Sequence, residues 1–248
     1  MKRTMISMLC ILLSLFAFGQ VNPRIMVGEI EVTPPKFAGT EKLVERMQMQ
    51  NFSTIENYLI SQIEYRRNTR KWYDEGTEVV RFIVTADGKV TDFEIINSVS
   101  PDIDEEVIHV LESTEGLWLP GFNNGLPVDM EKEVSVSFCA NPKSALENST
   151  YFLEQARHYF SKANQKLYDK HQNRRALRNY DRAICYMPND KCLLATRGMC
   201  RYSVGDKDGA CRDWNRLKSL GGTDSDYYLN NFCEMEGYAQ LLSLLKEE

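Results

Sequence analysis

Three histidines in 248 residues, no Cys-x-x-Cys pair and no Gly-x-Ser-x-Gly or His-Glu-x-x-His run leave little for zinc or nucleophilic chemistry to use. His109 falls in an amphipathic helix pattern, and His158 and His171 fall far from it in a helical half, so no nucleophile, base and orienting group stand together in the pattern. Asp104, Glu105 and Glu106 form the densest carboxylate cluster, but acids in the first turn of a helix serve its dipole. There is no Gly-x-x-x-x-Gly-Lys phosphate loop. A basic run is missing too: Lys and Arg number 30 against 35 Asp and Glu, a net charge of -5, which argues against nucleic acid as a partner. Eight prolines occur, none in a Pro-rich run that would make a long stiff spacer. The expectation is a protein without enzymatic activity, cofactor or metal.

What is present begins with an apolar run, Met5 to Phe18, after Lys2 and Arg3. Ala17 and Gly19 stand at the -3 and -1 positions of a cut before Gln20, so residues 1–19 read as a signal peptide, with a retained inner-membrane anchor as the alternative. As a helix the run would span about 21 Å, short of a bilayer core of about 30 Å. Export to the periplasm gives the six cysteines beyond Cys10 an oxidising compartment. Cys139, Cys185, Cys192, Cys200, Cys211 and Cys233 are all disulfide candidates; free buried thiols are the alternative, and sequence does not choose the pairing.

Two patterns follow a weakly patterned lead-in, residues 20–51, in which Pro34 and Pro35 favour extended backbone. The first pattern, residues 52–140, is α+β. Ser53 caps a helix with Ile55, Tyr58, Leu59 and Ile63 on one stripe. After Gly76, Val80, Phe82 and Val84 alternate in a strand, Asp87 and Gly88 make a turn, and Val90 opens its partner. Pro101 and Asp102 open a second helix with Ile103, Val107, Val110 and Leu111 inward. Then comes "WLPGFNNGLPV". Trp118 packs under the second helix, Pro120 and Gly121 turn the chain, and Asn124 and Gly125 supply positive φ. A last strand places Met130, Val134, Val136 and Phe138 inward and Glu131, Glu133, Ser135 and Ser137 outward. The expected fold is a small antiparallel three-stranded sheet with two helices on one face, its last strand at an edge.

The second pattern, residues 141–248, is all-α. Ala176 and Ala210, Tyr180 and Trp214, and Ala183 and Leu217 are each 34 residues apart, and Gly198 lies between the two sets. Small residues there let helices approach closely and the aromatic fills the space between hairpins. Over roughly a hundred residues the region resembles tetratricopeptide repeats.

The first pattern resembles the TonB C-terminal domain in the form common in Bacteroidetes-type bacteria. The residues that carry the likeness are "PPKFAGT", the strand entry at Gly76, "DGKV", "SPDIDEEV", "WLPG", "NNGLPV" and "VSVSF", from about Pro34 to Phe138. Glu78 departs from the family, which usually has an apolar residue there. The resemblance implies a periplasmic interaction module. It would bind an extended peptide of an outer-membrane, TonB-dependent transporter by β-augmentation on the last strand, along Glu131, Glu133, Ser135 and Ser137. It also implies that edge strands can exchange between copies, making a homodimer. Two alternatives stand beside it: a membrane-anchored energy transducer, and an envelope scaffold in which the helical domain does the binding. Pro34 stands only fifteen positions after Gly19, a reach of about 50–54 Å, which favours the module over the transducer.

Overall fold

The computed structural model describes residues 31–38, 54–63, 75–139 and 145–233. In chain order these form β1 (Val32–Thr33), β2 (Lys36–Phe37), α1 (Ile55–Gln62), β3 (Gly76–Val84), β4 (Val90–Asn97) and α2 (Pro101–Glu112). Then follow β5 (Trp118–Leu119), β6 (Gly121–Asn123), β7 (Leu126–Val128) and β8 (Met130–Phe138). The helical region consists of α3 (Ala145–Asn164), α4 (Asn173–Tyr186), α5 (Lys191–Ser203), α6 (Lys207–Ser219) and α7 (Ser225–Tyr228). Wider π-type turns, Gln165–Asp169 and Leu229–Cys233, follow α3 and α7. The signal-peptide reading of residues 1–19 lies outside the described residues, as does Ser53. The cap of α1 is Thr54, whose side chain accepts from Asn57 N.

Alternation builds the main sheet. Its order is β4-β3-β8, all antiparallel, with β3 in the middle and β8 at an edge as expected. Register runs from Gly76 opposite Phe138 to Val84 opposite Met130. Val80, Phe82 and Val84 with Val134, Val136 and Phe138 face α1 and α2, closing a core with Leu59, Val107, Leu111 and Trp118. Pro101 starts α2, where its missing N–H costs nothing, and Asp102 and Asp104 sit in the first turn, favouring the dipole. Gly88 takes φ +80 in the β3–β4 turn, and a Cβ there would come within 2.9 Å of the Trp118 carbonyl oxygen.

"WLPGFNNGLPV" is more than a joint. Its residues make β5, β6 and β7, the last two joined by a turn with Asn124 at φ 50 and Gly125 at φ 77. The extended stretch at Pro34 and Pro35 lies beside them: β1 pairs with β6, and β2 with β5. Phe37 packs its ring 5.3 Å from Trp118 and 5.5 Å from Tyr58. The indole N–H of Trp118 donates to Thr114 Oγ1 at 2.8 Å, so this buried ring leaves no polar atom orphaned.

In the helical region α3, α4, α5 and α6 each pack on the next in sequence. Ala176, Tyr180 and Ala183 on α4, and Ala210, Trp214 and Leu217 on α6, are all buried. Gly198 sits so close to the Trp214 indole that a Cβ would collide with Nε1. The expected layer of helices on one sheet face is half the arrangement. Helices α4 and α6 meet the opposite face: Thr77 Oγ1 donates to the Tyr186 carbonyl at 3.1 Å, and Arg216 grips Glu133. Thr77 and Val79 are buried along with Glu78 and Val80, so this end of β3 is enclosed on both sides.

Candidate partner-binding surface

Strand β8 carries the expected binding row, and its four members differ in freedom. Glu131 and Ser137 are exposed, whereas Glu133 and Ser135 are half-buried. Glu133 receives two parallel hydrogen bonds from Arg216, Nη1 to Oε2 at 2.6 Å and Nη2 to Oε1 at 2.5 Å. Arg81 Nη2 stands 3.8 Å from the same carboxylate. This fork-to-fork pairing is the strong form of ion pair, and with Arg216 only 11% exposed it is poorly screened by solvent. Thr77 has one proton, which goes to the Tyr186 carbonyl, so the Ser137 hydroxyl donates to Thr77 Oγ1 at 3.1 Å. Along its backbone β8 pairs only with β3, and among the described residues no strand lies on its second edge.

The other singled-out residues shape this frame. Gly76 lets the end of α4 approach: a Cβ would lie 2.5 Å from Cys185 Sγ and 2.9 Å from the Cys185 carbonyl. Asp87 accepts from Thr85 Oγ1 and pairs with Lys89 at 3.1 Å, closing the turn that Gly88 permits. Pro120 stands between β5 and β6, and Gly121 lies against Met130, where a Cβ would strike the thioether sulfur. Cys211 and Cys233 form a disulfide between α6 and the turn after α7. Among the described residues Cys139, Cys185, Cys192 and Cys200 form no disulfide, and burial pushes the Cys200 thiol up to about 11, which keeps it protonated and inert. Among the described residues no group of three His, Cys, Asp or Glu side chains is disposed to hold a metal ion.

Two features escaped the sequence reading. The pattern of acids and bases in "DKDGACRDW" suits the solvated side of a helical hairpin, but Asp213 is 3% exposed. It accepts from Arg197 Nε at 3.0 Å, Arg197 Nη2 at 2.6 Å and Arg201 Nη1 at 2.9 Å. The signal was present, since Asp213 shares the stripe of Ala210, Trp214 and Leu217, and Arg197 and Arg201 are one helical turn apart. The second is Glu78, which points to the core side of β3 and is fully enclosed. Its Oε2 accepts from Val99 N at 2.7 Å, and Oε1 has no donor among the described residues. Burial pushes its carboxyl up to about 8; the Val99 N–H opposes this, and neighbouring Asp104 adds to it.

Residues 61–139 match the family model described as the Gram-negative bacterial TonB protein C-terminal. This stretch is a TonB C-terminal domain. The match covers the main sheet, α2 and the β5–β7 segment, followed by a separate helical region. TonB C-terminal domains are non-enzymatic interaction domains of the cell envelope that engage outer-membrane proteins. No curated protein and no solved structure matches the chain. Among the described residues, no helix is long and apolar enough to cross a membrane.

Proposed function

We propose that the protein is a periplasmic interaction module that takes an extended segment of an outer-membrane, TonB-dependent transporter onto the second edge of β8. The observation that supports this is a nine-residue strand of a TonB C-terminal domain, paired on one side only among the described residues. Each added backbone hydrogen bond contributes about 0.5–1.5 kcal/mol, so four or five give a reversible grip. Glu131 is the acidic side chain that favours Lys or Arg in the peptide. Glu133 is satisfied by Arg216 and adds rigidity more than selectivity. The reading includes export through residues 1–19 and a division near residue 140 between the sheet domain and a tetratricopeptide-like region.

The test is an amide NMR titration of the mature chain with ten-residue peptides from the periplasmic N-termini of outer-membrane transporters of the same cell. Shifts concentrated along Met130–Phe138 are expected, weakened by Glu131→Lys for Lys-bearing peptides. Shifts confined to residues 145–233 would overturn the reading in favour of a helical scaffold, and no shift at millimolar peptide would end it.

A further inference from the structure

A cleft of about 520 Å³ lies between β4 and helices α5 and α6. Glu94, Ile95, Ile96, Asn97 and Ser98 all line it. Residues of both parities reach it because the register shifts at Ile96, which is left unpaired between Ile95 and Asn97, and because Ser98 lies past the end of the strand. Strand β4 is the outer strand of the β4-β3-β8 sheet, so that edge presents backbone donors and acceptors.

The opposite wall is made of guanidinium groups. Arg197, Arg201, Arg212 and Arg216 line it, and Arg81 closes one end; the acids on the lining are Glu94 and Asp213. On the lining itself Asp213 pairs with Arg197 and Arg201 and Glu94 with Arg81; from outside it Asp181 also pairs with Arg197 and Arg201, and Glu133 with Arg81 and Arg216. Two donors are unspent. Arg216 Nε is buried with no hydrogen-bond partner, and the exposed Arg212 has no ion-pair partner among the described residues. In a chain of net charge -5, a lining with five arginines against Glu94 and Asp213, beside a strand edge that no described strand covers, is a local excess of positive charge.

We propose that the cleft binds an extended acidic peptide segment, which pairs its backbone with the β4 edge and directs Asp or Glu side chains to Arg212 and Arg216. Backbone pairing supplies the grip, and the guanidinium row selects for carboxylates in alternate positions. Ile95, Ile96 and Leu194 give the intervening side chains an apolar floor. The site lies along a different strand from the β8 edge, although Arg216 and Arg81 tie its wall to Glu133 of β8.

The test uses the full mature chain and a fluorescein-labelled, end-blocked heptapeptide alternating Glu with Val, followed by anisotropy and by amide hydrogen exchange. Binding is expected with slowed exchange at Glu94–Ser98. The Gln-for-Glu peptide should bind at least about tenfold more weakly, as should Arg212→Ala with the Glu peptide, since each removes charge-assisted hydrogen bonds. Arg212 is exposed and without an ion-pair partner among the described residues, so its variant keeps the fold, which circular dichroism checks. Equal affinity for the Glu and Gln peptides, or protection along Met130–Phe138 instead, would overturn the proposal. Full displacement of the peptide by millimolar inorganic phosphate or succinate, with no protection at β4, would also overturn it and assign the cleft to a small anion.

Discussion

Glu78 puts a carboxyl where β3 otherwise shows valine and phenylalanine to the core, and its neighbours do not ionise it. Among the described residues only Oε2 is supplied with a donor, the Val99 N–H, while the Asp104 carboxylate stands near enough to oppose a second negative charge. The protonated acid resolves both problems, because it loses its charge and gains a proton to donate toward Asp104. Between the unfolded value near 4.5 and the folded value of about 8, the folded chain holds a proton that the unfolded chain has released. The stability linked to this group is therefore complete below about 4.5 and is lost as pH rises through about 8. Glu78→Gln mimics the protonated state, so urea unfolding should show the variant matching the parent near pH 4 and exceeding it by about 2–4 kcal/mol at pH 9. Parallel stability curves for the two proteins across that range would show that Glu78 ionises freely. The position was visible in the sequence as a departure from the family pattern, but not its cause. That cause is the close approach of Val99 N and Asp104, which no spacing along β3 encodes.

Long elements were legible because periodicity had room to repeat. The nine residues of β8 and the twelve of α2 carry their inward stripes, broken in β8 only by Lys132, and the 34-residue spacing put Tyr180 and Trp214 in the cores where they lie. The short strands β1, β2 and β5–β7 were not legible, since two or three residues cannot show a period of two and Pro120 interrupts the run. Cysteine pairing was beyond sequence as well. What selects Cys211 and Cys233 is the packing of Tyr228 and Phe232 on Trp214, centroids 5.1 and 5.6 Å away, which brings the last described turn back onto α6. That bond closes a loop of 22 residues, worth about 3 kcal/mol if it acts mainly on the unfolded chain. Cys211→Ser with Cys233→Ser should lower Tm by about 6–12 °C, read by calorimetry. The aromatic packing should keep the Trp214 emission spectrum native at 25 °C. An unchanged Tm would mean the ring packing alone holds the turn.

At the scale of the whole molecule, the helical region braces the sheet. Its contacts are specific and few: Gly76 against Cys185, Thr77 to the Tyr186 carbonyl, Tyr151 Oη to Glu75 at 2.9 Å, and the Arg216–Glu133 fork. They fall on the sheet face opposite α1 and α2, so they set where the edges of β4 and β8 point, and no described strand covers either edge. Docked this way, the sheet and helices should unfold together in one calorimetric transition. Gly76→Val tests the coupling with little cost to the strand itself, since valine favours β structure. The new side chain has no room, because even its Cβ would stand 2.5 Å from Cys185 Sγ and 2.9 Å from a backbone oxygen that cannot swing aside. The expected outcome is two transitions in place of one, with faster proteolysis between residues 139 and 145. Gly125→Ala is the control: it strains a turn at φ +77 with nothing within 4 Å, costs about 1 kcal/mol, and should leave a single transition. If Gly76→Val also unfolds in one step at the parent's Tm, the two regions are coupled through some other surface, and the edges of β4 and β8 owe their orientation to the sheet alone.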